Sequence, residues 1–152
     1  MPQPNNFKLK ISSEIKTKFP EYNPIIFYVS DFVPDSNNLA SELLKQIQVE
    51  IKNKLNLELL DSDEQIIKWR QTYKAFGSNP RRFLNSYESL LTRVLKGSEI
   101  PSINPIVDLY NYISLKYRLP IGGENWNKLE SDLTLRFSNG AEPFDARDNG
   151  QI

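Results

Sequence analysis

Apolar positions recur along this chain at two periods, and each period predicts its own kind of element. FKLKI (7–11) alternates and reads as a strand. SSEIKTKF follows as a short helix with Ser13 at its N-cap, and Pro20 bars it from running further. NPIIFYVSDF (23–32) is a β-branched and aromatic run and reads as a buried strand, with VPDSNN after it as a turn cluster. Leu39, Leu43, Leu44, Ile47, Ile51 and Leu55 then fall on one helical face, while Lys45, Glu50, Lys52 and Lys54 fall elsewhere.

A second long helix is predicted from Ser62, with Asp63 and Glu64 in its first turn, where the helix dipole favours acids. Ile66, Ile67, Trp69, Tyr73 and Phe76 carry it to a stop at Gly77. After the SNP break a third helix opens at Asn85, with Glu88 completing a capping box, and ends at Gly97. Asn104 followed by Pro105 is an N-cap and first-turn pair. Ile106, Val107, Tyr110, Ile113, Ser114 and Tyr117 then continue at helical spacing. Pro120 forbids continuation, and Gly122-Gly123 allows a tight turn or a close backbone approach. DLTLRF (132–137) alternates like a strand before a turn and a tail.

The order is β, short α, β, four helices, β, which predicts an α+β fold: a mixed sheet or partial barrel with helices packed on it. One late strand satisfies two early strands poorly, so the expectation is a sheet that lacks its C-terminal strands. With 152 residues a single domain over 1–152 is expected, its last eight residues forming a flexible tail.

Composition narrows the chemistry. The chain has no cysteine, hence no disulfide framework or thiolate metal site, and no metal or cofactor is expected. It has no histidine, which removes the commonest general base and every histidine-dependent nucleophile arrangement. The start MPQPNNFKLK lacks the apolar stretch of a signal peptide, and no run approaches the ~18 apolar residues of a membrane span. A cytoplasmic chain without a membrane partner is the expectation.

Nineteen basic residues balance nineteen acidic ones, so charge matters only locally. Between 68 and 96, Lys68, Arg70, Lys74, Arg81, Arg82, Arg93 and Lys96 face only Glu88, a local excess of six. Trp69, Tyr73, Phe76, Phe83 and Tyr87 are interleaved. Phosphate attraction beside flat rings suits looped or single-stranded RNA, and gives no reason to expect DNA. The plainer reading makes the rings core and the bases a solvated face. Asp108 suits the helix dipole, Asn111 could order a loop or read a substrate, and Gly122-Gly123 could offer amides to an oxygen or an anion. Glu124, Glu130 and Asp132 could pair, but nothing in the sequence sets their geometry.

RQTYKAFGSNPRRF, SYESLLTRVLKGSEIPSINPIVDLYNYISLKYRLPIGGEN and LESDLTLRFSNGAEPF together resemble the B3/4 domain. The cues G-x-x-P, L-x-x-R-V-x-K-G, I-N-x-x-V-D-x-x-N and L-P-x-G-G come in the family's order between residues 69 and 144. This domain occurs within the beta subunit of bacterial phenylalanyl-tRNA synthetase and as free-standing proteins. In the synthetase it is the editing module that hydrolyses a wrongly attached amino acid from tRNA. The resemblance implies that Asp108, Asn111 and Pro120 match family positions. It also implies departures: Pro101 stands where the editing site has an arginine, Gly122 where it has a histidine, and Asn125 where it has an aspartate.

The resulting expectation is a protein that binds tRNA or aminoacyl-tRNA, with or without hydrolysis of a mischarged substrate in trans. Its substrate pocket would comprise Ser102, Asn104, Asp108, Asn111, Pro120, Gly122 and Gly123. Lys74, Arg81, Arg82, Arg93 and Lys96 would touch RNA phosphates, and no catalytic residue is assigned. The alternatives are a small-molecule module that takes an amino-acid-like ligand in the same pocket, or an inactive remnant. Oligomeric state stays open.

Overall fold

A computed structural model describes residues 8–33 and 37–142. Phe7, part of the VPDSNN turn (34–36), the last two residues of the resemblance (143–144) and the expected tail (145–152) lie outside the described residues. The chain gathers into two compact units, one joining the stretch up to Val29 with the stretch from Glu124 onward, the other running from Ser30 to Gly123.

In the first unit, β1 (Leu9–Ile11) pairs in parallel with β2 (Leu133–Leu135), in the register Leu9 to Leu133 and Ile11 to Leu135. The alternation is the one the sequence predicts: the leucines and Ile11 are half-buried, and Lys10 and Thr134 are exposed. Asp132 anchors this register, accepting the Lys8 amide at 3.1 Å and pairing with the Lys10 ammonium at 2.7 Å. α1 (Ser13–Lys18) is capped by Ser12, not by Ser13 as the sequence suggested. Ser12 holds the extended conformation a cap needs and accepts the Ile15 amide at 3.3 Å, whereas Ser13 is already helical.

The predicted strand over 23–32 is not formed. Ile25 is 80% and Phe27 82% exposed, and among the described residues only β1 and β2 share a sheet. Strand propensity measures fit to a pleated, half-buried surface, and without a ladder partner the propensity has nothing to act on. Asp31, at φ 52, also breaks the extended run before its end.

The second unit is helical: α2 (Leu39–Lys54), α3 (Glu64–Ala75), α4 (Ser86–Leu95) and α5 (Pro105–Tyr117). α2 packs chiefly on α5, and α4 contacts both. Leu44 and Ile51 of α2, Ile66 of α3, Leu91 and Val94 of α4 and Leu115 of α5 form the core. Leu39 and Leu55, at the ends of the predicted stripe, stay exposed. A 3-10 turn over Leu57–Asp61, absent from the sequence reading, adds Leu60 to this core. Gln48 is buried within the apolar face of α2, yet both ends of its amide are satisfied. Its nitrogen donates to the Leu44 carbonyl at 3.0 Å and its oxygen accepts the Ile100 amide at 2.7 Å.

The caps follow local chemistry. α3 is capped by Asp63 rather than Ser62: one carboxylate oxygen accepts the Gln65 and Ile66 amides at 2.9 and 3.0 Å, while Ser62 closes the preceding 3-10 turn. Asn85 caps α4 and Asn104 caps α5, each accepting the amide three residues on at 3.0 Å. α5 stops at Arg118, whose φ of 60 turns the chain two residues before Pro120. The architecture is α+β, dominated by helices, with a small open sheet. Among the described residues no helix is long and apolar enough to cross a membrane.

Candidate functional site

The start of α5 is a hydrogen-bonded knot. Asp108, 1% exposed, accepts the Ser102 hydroxyl on one carboxylate oxygen at 2.5 Å and the Ile103 amide on the other at 2.9 Å. Asn104 sits between them, its side chain spent on the Val107 amide. Asp108 therefore does more than answer the helix dipole. It folds residues 102–103 back onto the first turn and leaves Ser102 and Asn104 at the surface. Asn111 lies about one turn further on, half-buried.

The segment after α5 is fixed at several points. The Ser114 hydroxyl donates to the Leu119 carbonyl at 2.6 Å. Ser86, the first residue of α4, donates its hydroxyl to the Ile121 carbonyl at 3.1 Å and accepts the Ile121 amide at 3.0 Å. Gly123 lies close against α5: a Cβ there would stand 3.3 Å from the Tyr110 ring. Gly122 faces open space. Pro120 is half-buried within this loop. The structure thus brings Ser102, Asn104 and Asp108 into one turn and lays the glycine loop along the middle of the same helix. Among the described residues no hydrogen bond joins the two groups.

A second network beside the loop had no signal in the sequence. Asp63 accepts the Tyr87 hydroxyl at 3.1 Å, the Arg118 Nε at 3.1 Å and a further Arg118 nitrogen on one oxygen, so it ties the starts of α3 and α4 to the end of α5. Burial raises the Asp63 carboxyl, but the Ile66 amide, Arg118 and Tyr87 outweigh burial and hold it below the usual carboxylate range. Burial pushes the Tyr87 phenol up to about 12. These three residues are far apart in sequence, and each taken singly reads as an ordinary cap, core ring or surface base.

The basic segment is less free than its composition suggests. Arg70 donates to the buried Glu88 carboxylate through Nε at 2.9 Å and Nη2 at 2.7 Å, and to Asp61 through Nη1 at 2.6 Å. This corrects two expectations: Arg70 is a structural bridge, and the Glu88 carboxylate turns to Arg70 rather than back to the cap. Arg93 donates Nε to the Glu99 carbonyl at 2.7 Å, and the Arg82 guanidinium lies 5.1 Å from the Phe83 ring centre. Lys74, Arg81, Arg82, Arg93 and Lys96 are all exposed. The rings divide: Tyr87 is core, Trp69 and Tyr73 are half-buried with Tyr73 against Phe76 at 5.0 Å, and Phe76 and Phe83 are exposed.

This arrangement offers surface hydroxyls, amides and cations. The model of the family described as the B3/4 domain matches residues 68–152, a span that takes in the basic segment, α4, α5 and the glycine loop. No curated protein and no solved structure matches the chain.

Proposed function

Because the chain belongs to the B3/4 domain family, we propose that it binds tRNA or aminoacyl-tRNA, with the acylated end at the start of α5 and the Pro120–Gly123 loop. The observation that carries this reading is the family match, since its span contains both the pocket residues and the basic segment. Lys74, Arg81, Arg82, Arg93 and Lys96 supply the phosphate contacts, and the Phe83 ring with Arg82 over it supplies a partly exposed aromatic surface beside them. The reading carries a cytoplasmic location, where tRNA is charged and used.

Hydrolysis of a mischarged aminoacyl-tRNA in trans is the activity this site would serve. Water adds to the ester carbonyl, and the terminal ribose oxygen leaves with a proton. With no histidine in the chain and both Asp108 oxygens engaged, the water would be held by backbone amides, the Ser102 hydroxyl and the substrate's own ribose hydroxyl. The same engagement of Asp108 favours a second reading, in which the pocket holds an amino-acid-like ligand and performs no chemistry.

The test is binding of deacylated tRNA and aminoacyl-tRNA at two salt concentrations, in the natural chain and in Arg81→Glu/Arg82→Glu. Micromolar binding that weakens with salt and is lost in the variant supports the RNA reading. Absence of binding at low salt sinks it. Thermal stabilisation by free aromatic amino acids, with no response to tRNA, would then establish the second.

A further inference from the structure

The first unit holds a cleft of about 600 Å³ lined by residues between 9 and 26, outside the span that the family model matches. Leu9 and Ile11 of β1, Ile15 of α1, and then Phe19 and Ile26 give it apolar walls. The chain around it is held in shape by its own backbone. The Phe19 amide donates to the Ile15 carbonyl at 2.8 Å and the Tyr22 amide to the Phe19 carbonyl at 3.1 Å, while Pro20 and Pro24 fix φ on either side of Tyr22. Lys16 is the one charged residue of the lining. Lys10 pairs with Asp132, and Lys18 stands 5.3 Å from the Phe137 ring centre. Among the described residues Lys16 has no ion pair, and it is exposed, so its ammonium belongs to the mouth of the cleft rather than its floor.

We propose that this cleft binds a small apolar monocarboxylate, its hydrocarbon chain against Ile11, Ile15, Phe19 and Ile26 and its carboxylate on the Lys16 ammonium. Volume and lining agree with a small-molecule site, which is concave, mostly apolar and furnished with a few polar groups that fix orientation. Charge selects the occupant. A single cation with no carboxylate of its own chain answers one negative charge, and an ammonium on a carboxylate is a charge-assisted hydrogen bond. A polyphosphate would carry charges the cleft does not meet, and a cationic amphiphile would face Lys16 as a like charge. The site is independent of the RNA reading, since none of its residues lies in the basic segment, α5 or the glycine loop.

The test is a titration of the natural chain with sodium octanoate to about 10 mM, followed by amide chemical shifts, beside octanol and octyltrimethylammonium. The same ligands are added to Lys16→Met, which removes the charge at an exposed position and keeps an apolar stem, with far-UV circular dichroism as the check on folding. The expected result is saturable octanoate binding with a dissociation constant on the order of 1 mM or tighter. Its shifts should centre on the Ile11, Ile15, Phe19 and Ile26 amides. Octanol should bind about tenfold more weakly and the cation not at all. In Lys16→Met octanoate should fall to the level of octanol, with octanol itself unchanged. No shifts at those amides, octanol binding as tightly as octanoate, or shifts spread equally over α2–α5 as a detergent would give, overturns the proposal. If Lys16→Met fails to fold, the ratio of octanoate to octanol affinity in the natural chain decides.

Discussion

Ser86 and Ile121 bond to each other twice: the serine hydroxyl donates to the isoleucine carbonyl and accepts the isoleucine amide, across 35 positions of sequence. One side chain thereby satisfies both backbone groups of a loop residue that no helix or sheet serves. With Ser114 on Leu119, Arg118 on Asp63 and Gly123 against Tyr110, the loop is held in one shape by the chain's own contacts, and under the proposed function that would lower the ordering cost of binding.

Replacing Ser86 with alanine leaves the Ile121 amide and carbonyl to find water. The expected loss is about 1–2 kcal/mol in a urea titration, with faster hydrogen exchange at the Ile121 amide. Unchanged exchange there would show that the loop is held by its other contacts.

Arg70 and Glu88 should respond unequally. Glu88 is 2% exposed, so Arg70→Ala strands a buried carboxylate, an error of about 3 kcal/mol or more. Glu88→Gln leaves Arg70 with Asp61 and an amide acceptor, and costs roughly half as much. Equal losses in chemical denaturation would refute this asymmetry.

Stability should have two pH limbs of opposite sign. Asp63 titrates below its usual range when folded, so the unfolded chain protonates first. Its contribution is complete above the unfolded value of ~3.9 and is lost as pH falls from there through the folded value. Tyr87 is raised to about 12, so its contribution is complete below the unfolded value of ~10 and lost as pH climbs between the two. Denaturation at acidic, neutral and alkaline pH should show Asp63→Asn with a shallower acid limb and Tyr87→Phe with a shallower alkaline one. Limbs parallel to the natural chain's would rule these groups out.

Glycine substitutions should separate backbone conformation from space. Gly97 ends α4 at φ +86, where a side chain is strained, so Gly97→Ala is expected to cost about 1–2 kcal/mol. Gly122 has neither positive φ nor a neighbour within 4 Å, so Gly122→Ala should be neutral or slightly stabilising through the unfolded chain. Melting temperatures of the two variants, measured side by side, decide.

The helices were legible because their signals are local. Asn104-Pro105, Asn85 and the spacing from Leu43 to Ile51 state their own geometry within a few residues. Single-residue errors at Ser12 and Asp63 arose where two neighbouring residues could both cap. IIFYV was misread because a strand exists only with a partner, and partnership is not written in the strand itself. In the site, Asp108 was visible as a matched position, but its hold on Ser102 was not. Asp63, Tyr87 and Arg118 were invisible as a group, since only tertiary packing brings them together.

That hold on Ser102 can be measured as a coupling. Ser102→Ala leaves a buried carboxylate oxygen of Asp108 without its donor, at an expected cost of about 1–3 kcal/mol. Asp108→Asn keeps an oxygen for the Ile103 amide but turns a donor toward the serine, whose hydroxyl can rotate to accept it. The double variant should therefore lose less than the two singles combined, with an interaction of at least about 0.5 kcal/mol. Additive losses in the urea midpoints would mean that the two side chains are neighbours without being partners. Asp108 would then serve the Ile103 amide alone, and Ser102 would be free to meet a ligand.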